Sequence, residues 1–154
     1  MGHHAHHGEQ SLTRSAVQAT LHCLTGCAIG EVLGMVLATA LGLGDAASIA
    51  LAVALAFVFG YAFTLGPVVR SGVGLRRAAG IAFAADTVSI TTMEIVDNAF
   101  ILLVPGALAA GLTDGLFWWS LALGLVVAFV LTVPVNRWLI ARGRGHAVVH
   151  HLHV

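Results

Sequence analysis

The sequence contains no lysine and few charged residues of any kind. Charged residues make up 9% of the 154 residues, whereas a soluble domain carries about a quarter. Such a chain cannot cover a surface that faces water, which excludes an ordinary soluble domain. The absence of lysine also excludes a retinal Schiff base. A formal net charge of zero without a basic stripe argues against a nucleic-acid partner.

Cysteine and recognisable catalytic motifs are equally scarce. The two cysteines lie in one apolar segment, so they cannot form the disulfide framework of a secreted domain. No phosphate-binding loop is present, because Gly72-Val73-Gly74 lacks the strand and helix that would flank one. No nucleophile and base of the hydrolase kind can be identified, and we expect no enzymatic activity. We also expect no cleavable signal peptide, since the first residues are rich in histidine.

Apolar residues are abundant, at 58% of the chain with a mean hydropathy of +0.94. A membrane-spanning helix needs about 20 mostly apolar residues. Four segments meet this length and predict an all-α bundle of four transmembrane helices, at about 16–43, 46–66, 78–104 and 116–140. Pro67 and Pro105 are expected to end the second and third spans, and Pro134 to interrupt the fourth. Residues 1–15 and 141–154 are predicted to be histidine-rich tails.

The basic residues all fall on one side of this topology. They precede the first span, fill the loop between the second and third, and follow the fourth: Arg14, Arg70, Arg76, Arg77, Arg137, Arg142 and Arg144. Cytoplasmic loops of membrane proteins carry an excess of arginine and lysine, which predicts that both termini are cytoplasmic. Asn136, between Pro134 and Arg137, is expected to help anchor the fourth span at the inner interface.

Polar residues of the first span lie on one helical face. Cys23, Cys27 and Glu31 recur at every fourth position. Beside this face lies a glycine ridge, formed by Gly26, Gly30 and Gly34. Small residues at this spacing let another helix approach closely. We therefore expect the cysteine face to be buried, and we expect the ridge to be one candidate interface for a homo-oligomer.

The third span carries three acids within an apolar helix. Its polar stripe, with the residues at its edge, consists of Asp86, Ser89, Met93, Glu94, Asp97 and Asn98. An ionised Asp at mid-bilayer costs at least about 2.5 kcal/mol, so these acids should face the bundle interior and be paired or protonated. Counted from the cytoplasmic side, Cys23 lies as deep as Asp86, and Glu31 as deep as Glu94. If the first and third helices are in contact, they form a polar column.

This column contains ligands for a transition metal. Cys23 and Cys27 can direct two sulfurs at one ion, and thiolate, thioether and imidazole groups suit Cu(I) and Zn(II). The predicted metal site comprises His22, Cys23, Cys27, Met93, Glu31 and Asp86, and the predicted ion or proton path comprises Glu94, Asp97, Asn98 and Ser89. The alternative for the cysteines is packing alone, which is common for buried thiols.

Both tails contain clustered histidines, which by composition are typical of metal binding. These are His3, His4, His6 and His7 at the beginning, and His146, His150, His151 and His153 at the end. The alternatives are a purification tag for the first group and a solvated, disordered end for either.

Three separated motifs carry a family resemblance: residues 22–27, residues 93–98, and residues 134–138 together with Gly145-His146. Over nearly the whole chain after the N-terminal tail, the sequence resembles the DUF4396 family of short bacterial membrane proteins. The resemblance implies a multi-pass protein of the bacterial inner membrane. It supplies no activity, and among metals it implies a preference for copper.

Three functional hypotheses follow. The leading one is a membrane protein in contact with the lipid bilayer that binds or transports a transition metal, copper(I) first and zinc second. The first alternative is a proton-coupled small transporter or channel that uses the intramembrane carboxylates. The second is a structural or accessory membrane subunit, in which the polar column only holds helices together.

Overall fold

Four α-helices make up the fold. The computed structural model describes residues 3–142, with side chains from Gly8 onwards. The helices are α1 (His3–Leu41), α2 (Asp45–Arg70), α3 (Leu75–Leu103) and α4 (Gly115–Ala141), and the described part of the chain contains no strand. Each helix is long and apolar enough to cross a membrane. The prediction of an all-α bundle of four membrane-spanning helices is confirmed.

The helix ends differ from the sequence prediction in three places. The backbone of α1 is helical from His3, within the predicted tail, because no proline interrupts this segment. Pro67 does not end α2, which continues to Arg70, and Pro134 lies inside an unbroken α4. Membrane helices tolerate proline because neighbouring groups compensate for the lost backbone hydrogen bond. The carbonyl of Pro67 still accepts a bond from the Ser71 amide at 3.0 Å, which keeps the following turn.

The helices form an antiparallel bundle in which α1 and α3 lie diagonally opposite. α1 packs on α2 and α4, α3 packs on the same two helices, and α1 and α3 also meet across the centre. The assumed contact between the first and third spans is therefore confirmed. One end of the bundle, here called the arginine end, carries Arg14, Arg70, Arg76, Arg77, Arg137 and Arg142. The opposite end, the Asp45 end, holds the α1–α2 turn and the α3–α4 loop.

The glycine ridge of α1 is occupied by α2 of the same chain. A Cβ placed on Gly26 would lie 2.8 Å from the Cα of Gly60, and one placed on Gly34 would lie 2.5 Å from the Cα of Ala52. A Cβ on Gly30 would overlap the backbone nitrogen of Ala56. Since α2 covers the ridge, these glycines are not available as the interface between copies that the sequence suggested.

Large apolar side chains cover the outside of the bundle. Exposed examples on the four helices are Val36, Val58, Ile95 and Val126. A soluble protein rarely exposes apolar surface on this scale. The surface is compatible with contact to lipid acyl chains, and the chain is a multi-pass membrane protein.

Candidate ion site

The centre of the bundle holds the polar column predicted from the sequence. Its four acids are all buried, with exposed fractions of 8% for Glu31, 0% for Asp86, 4% for Glu94 and 1% for Asp97. Glu31 comes from α1 and the other three from α3, the helices that meet across the diagonal. The i, i+4 spacing on α1 and the acid stripe on α3 therefore face each other.

The level nearest the arginine end is a hydrogen-bond network that joins three helices. Ser89 Oγ donates to Cys23 Sγ at 3.2 Å, and Cys23 Sγ lies 3.9 Å from Asp86 Oδ1. Asn136 Nδ2 donates to Ser89 Oγ at 3.0 Å and to Thr20 Oγ1 at 2.9 Å. The network ties α1, α3 and α4 together below the remaining acids.

Two members of this network escaped the sequence analysis. Thr20 was not among the predicted site residues. Asn136 was expected at the inner membrane interface, but its side chain is 1% exposed and lies between helices. The reason is that α4 continues past Pro134 to Ala141, so Asn136 stays within the helix and its side chain lies in the bundle. The sequence did contain one indication of this role, the amide side chain of Asn136 within an otherwise apolar span. Such an amide group needs hydrogen-bond partners on neighbouring helices in a membrane.

The middle level pairs a thiol with a carboxyl group. The side chains of Cys27 and Glu94 lie within hydrogen-bonding reach of each other. On the far side, Asn98 Nδ2 donates to the backbone carbonyl of Glu94 at 2.9 Å and to its Oε2 at 3.4 Å. Glu94 Oε1 has no further partner in the described structure. Asn98 therefore orients the Glu94 carboxyl group towards α1.

The level nearest the Asp45 end is a pair of carboxyl groups. Glu31 and Asp97 lie within hydrogen-bonding reach of each other. None of their four oxygens accepts a hydrogen bond from a donor in the described part of the chain. Two carboxyl groups can hydrogen-bond only when they share a proton, because ionised carboxylates are acceptors only. A direct hydrogen bond within the pair therefore requires one shared proton.

A glycine on α4 makes room for this pair. A Cβ placed on Gly124 would overlap Asp97 Oδ1 and would lie 3.3 Å from a ring carbon of Phe100. Any larger residue at Gly124 would therefore push the Asp97 carboxyl group away. Gly124 could not be identified from the sequence, since glycine within an apolar helix has many uses and the spacing does not indicate its neighbour on another helix.

A cavity reaches this carboxyl pair from the Asp45 end of the bundle. Its volume is ≈ 250 Å³. Asp45 and the loop of residues 107–111 line its outer part, and Glu31 and Asp97 lie at its base. No lining residue is closer to the arginine end than these two acids, and none is basic. The cavity therefore ends at the carboxyl pair, with the rest of the column packed beneath it.

The sulfur groups form a separate buried cluster. Cys23, Cys27 and Met93 pack together with Ile90 and small residues of the core. Both cysteines are free thiols. Three sulfur side chains in one buried cluster are chemically suited to a soft ion such as Cu(I).

His22 precedes Cys23 on α1, and its ring packs edge to face against Phe63 of α2, with the ring centres 5.6 Å apart. Within the part of the chain that the structure describes, no three His, Cys, Asp or Glu side chains are grouped so that they could hold a metal ion.

The predicted tail sites cannot be placed against this geometry. The structure describes no side chain before Gly8, which leaves out those of His3, His4, His6 and His7. The residues after Arg142 lie outside the described part of the chain, and these include Arg144, His146, His150, His151 and His153.

A protein-family model matches the chain, whereas no curated protein and no solved structure does. A family model described as a domain of unknown function matches residues 13–145, which includes the first two sequence motifs, the third as far as Gly145, and most of the four helices. The chain therefore belongs to the DUF4396 family.

Proposed function

We propose that this protein is a membrane carrier that exchanges a cation for a proton at the Glu31–Asp97 pair. The observation that carries the proposal is the cavity, which leads from the Asp45 end to two buried carboxyl groups without a donor partner. Ionisable groups inside a membrane are costly and are found where substrates or protons pass. The proposal is transport and not catalysis.

Charge balance explains how exchange would work at the pair. Like charges in close contact and in low dielectric cannot both persist, so two such carboxyl groups share one proton and carry a single negative charge. When one monovalent cation binds, the shared proton leaves through the cavity to water. Both carboxylates then surround the cation, and the net charge of the site is again minus one. Each binding event therefore releases one proton, and transport in this mode moves no net charge.

The remainder of the column supplies the route beyond the pair. The Cys27–Glu94 contact and the Cys23–Asp86–Ser89 contacts continue from the pair towards the arginine end. Ile90 and Met93, both fully buried, fill the space between these groups. Because the cavity stops at the pair, passage to the other side requires the helices to rearrange, which is the behaviour of a carrier. We place the arginine end in the cytoplasm of a bacterial inner membrane, following the positive-inside rule.

Proton release from purified protein tests this function. Detergent-solubilised protein in weakly buffered solution with a pH-sensitive dye is titrated with sodium, potassium and propylammonium chlorides. At least one salt should release about one proton per chain in a saturable manner, as the charge balance requires. Glu31→Gln and Asp97→Asn should abolish the release. Glu9→Gln is the matched control, because Glu9 is an exposed acid at the arginine end.

Two results would overturn the proposal. Wild-type protein that releases no proton with any of the three salts is not a cation–proton exchanger. Release that persists unchanged in both Glu31→Gln and Asp97→Asn would place the exchange elsewhere in the chain.

A second candidate function is binding of copper(I), with zinc as the second choice among metals. Its supporting observation is the sulfur cluster, in which Cys23, Cys27 and Met93 share one buried core. Soft thiolate and thioether ligands select Cu(I). In this form the protein binds or carries a transition metal through the middle of the bundle.

Copper binding is tested by competition with a coloured Cu(I) chelator. The Cys23→Ser/Cys27→Ser double variant should lose stoichiometric Cu(I), and Met93→Leu should bind it more weakly. Met35→Leu is the matched control, because Met35 lines the outer cavity and not the sulfur cluster. Unchanged Cu(I) binding by the double serine variant would remove this candidate.

A further inference from the structure

The residues that line the cavity indicate which kind of cation it can bind. Above the carboxyl pair the lining is mainly apolar, with Ile49, Ala52 and Ile101 on one part and Phe117 and Leu121 on another. Phe117 and Leu121 are themselves 7% and 6% exposed and belong to one packed core cluster. The cavity is thus acidic at its base and apolar along its sides.

An inorganic cation matches only part of this lining. Calcium, for example, takes six to eight oxygen ligands, which a binding site distributes around the ion. Here the unpartnered oxygens of Glu31 and Asp97 are concentrated at one end, and apart from Asp45 only a few hydroxyl and amide side chains interrupt the otherwise apolar wall. The volume of ≈ 250 Å³ is also far larger than one dehydrated ion requires.

We propose that the cavity binds a small alkylammonium ion, with its ammonium group between Glu31 and Asp97 and its alkyl group against the apolar wall. This inference rests on the proposed exchange function and names its substrate class. A primary ammonium group has three N–H donors, and the pair offers four acceptor oxygens without a donor. Glu31 and Asp97 are 8% and 1% exposed, so both carboxyl groups are shielded from bulk water.

The size of the cavity limits the substrate to a small molecule. Pockets for drug-sized ligands measure about 300–1,000 Å³, and this cavity lies below that range. A short alkyl chain fits, while an amine with three or more positive charges would bring more positive charge than one carboxyl pair neutralises. Asp45 at the mouth adds a further negative charge, which favours the approach of cations.

A chain-length series tests the substrate class. Methylammonium, propylammonium and sodium chlorides are titrated into detergent-solubilised protein, with proton release as the readout. Propylammonium should bind at least about tenfold more tightly than methylammonium, since each buried methylene contributes favourably to binding. Sodium should not compete at equal concentration. Detergent micelles are used because neutral amines cross a closed bilayer without a carrier.

A variant that narrows the cavity provides the second arm. Ala109 is an exposed loop residue that lines the cavity, so Ala109→Phe adds bulk there without touching either carboxyl group. It should weaken propylammonium binding by about tenfold or more, because the phenyl ring would occupy the space that the alkyl chain needs. Leu102→Phe is the matched control, since Leu102 is 62% exposed on the outer surface and does not line the cavity.

The outcomes separate this inference from the proposed function. If sodium or potassium releases protons through Glu31 and Asp97 but propylammonium does not, the substrate class is wrong and the exchange function stands. If no salt releases protons, both fail. Equal affinity for methylammonium and propylammonium, or unchanged propylammonium binding in Ala109→Phe, would also overturn the alkylammonium assignment.

Discussion

Asn136 is enclosed between three helices, and its amide supplies two hydrogen bonds that link α4 to α1 and α3. In lipid, a polar side chain without a partner is unfavourable, so the Asn136 amide and the hydroxyl groups of Thr20 and Ser89 stabilise one another. The same network holds Ser89 where it donates to Cys23. One residue of α4 thus fixes the position of a thiol on α1.

Replacing Asn136 by leucine tests this role. Asn136→Leu keeps a similar volume but removes both amide bonds, so the free energy of unfolding should fall by about 1–2 kcal/mol. The measurement is reversible unfolding by SDS in mixed micelles. Thr25→Val is the control, because the Thr25 hydroxyl donates only to the Leu21 carbonyl of its own helix. Equal unfolding midpoints for Asn136→Leu and wild type would mean that the network contributes nothing to stability.

At the scale of a helix, α1 uses two faces for two purposes. Gly26, Gly30 and Gly34 bring its backbone against α2, while Cys23 and the other polar residues at i, i+4 spacing face α3. Close packing on α2 sets the depth and rotation of α1. That rotation decides which acids of α3 its polar face meets.

The α1–α2 contact can be tested with a single methyl group. Gly30→Ala places a Cβ into the backbone of α2 at Ala56, so the helices must separate and stability should fall by about 1–3 kcal/mol. Gly80→Ala is the matched control, since no atom of the described structure lies within 4 Å of its added Cβ. Gly80→Ala should be neutral or stabilising by about 0.5–1 kcal/mol, because alanine is the better helix former.

SDS unfolding and crosslinking together give the readout for Gly30→Ala. Because the ridge is covered within one chain, the crosslinked oligomer distribution should not change while the unfolding midpoint falls. A changed oligomer distribution with an unchanged midpoint would instead place Gly30 at an interface between copies.

For the whole molecule, the proposed function depends on sidedness. The arginines described in the structure lie at one end of the bundle, and the cavity opens at the other. In the proposed orientation, with the arginine end in the cytoplasm, the cavity mouth faces the outer side of the membrane. A carrier in this state accepts its cation from outside.

Labelling of single cysteines in whole bacterial cells tests this orientation. In a Cys23→Ser/Cys27→Ser background, Thr113→Cys lies in the exposed α3–α4 loop and Ser71→Cys in the exposed α2–α3 turn. A membrane-impermeant maleimide should label the cysteine at position 113 directly, and the one at position 71 only after permeabilisation. The reverse pattern would invert the molecule and direct the cavity to the cytoplasm.

Much of the architecture followed from the sequence alone. The apolar segments predicted four helices, because in a bilayer the backbone must satisfy its own hydrogen bonds and a helix does so within one segment. The spacing of Cys23, Cys27 and Glu31, and of the acids of α3, predicted two polar faces, because helical periodicity places residues four apart on one side. The depth match between Cys23 and Asp86 also followed, since both helices start at the arginine end.

Only the tertiary structure decided which side chains meet. Periodicity assigns a residue to a face but does not name the helix that the face contacts, so the ridge of α1 could serve α2 or a second copy until packing placed Gly30 on Ala56. Whether a helix continues through Pro134 depends on its surroundings, and this brought Asn136 into the core. The pairing of Glu31 with Asp97 and the cavity above them arise from four helices and a loop together, which no single segment encodes.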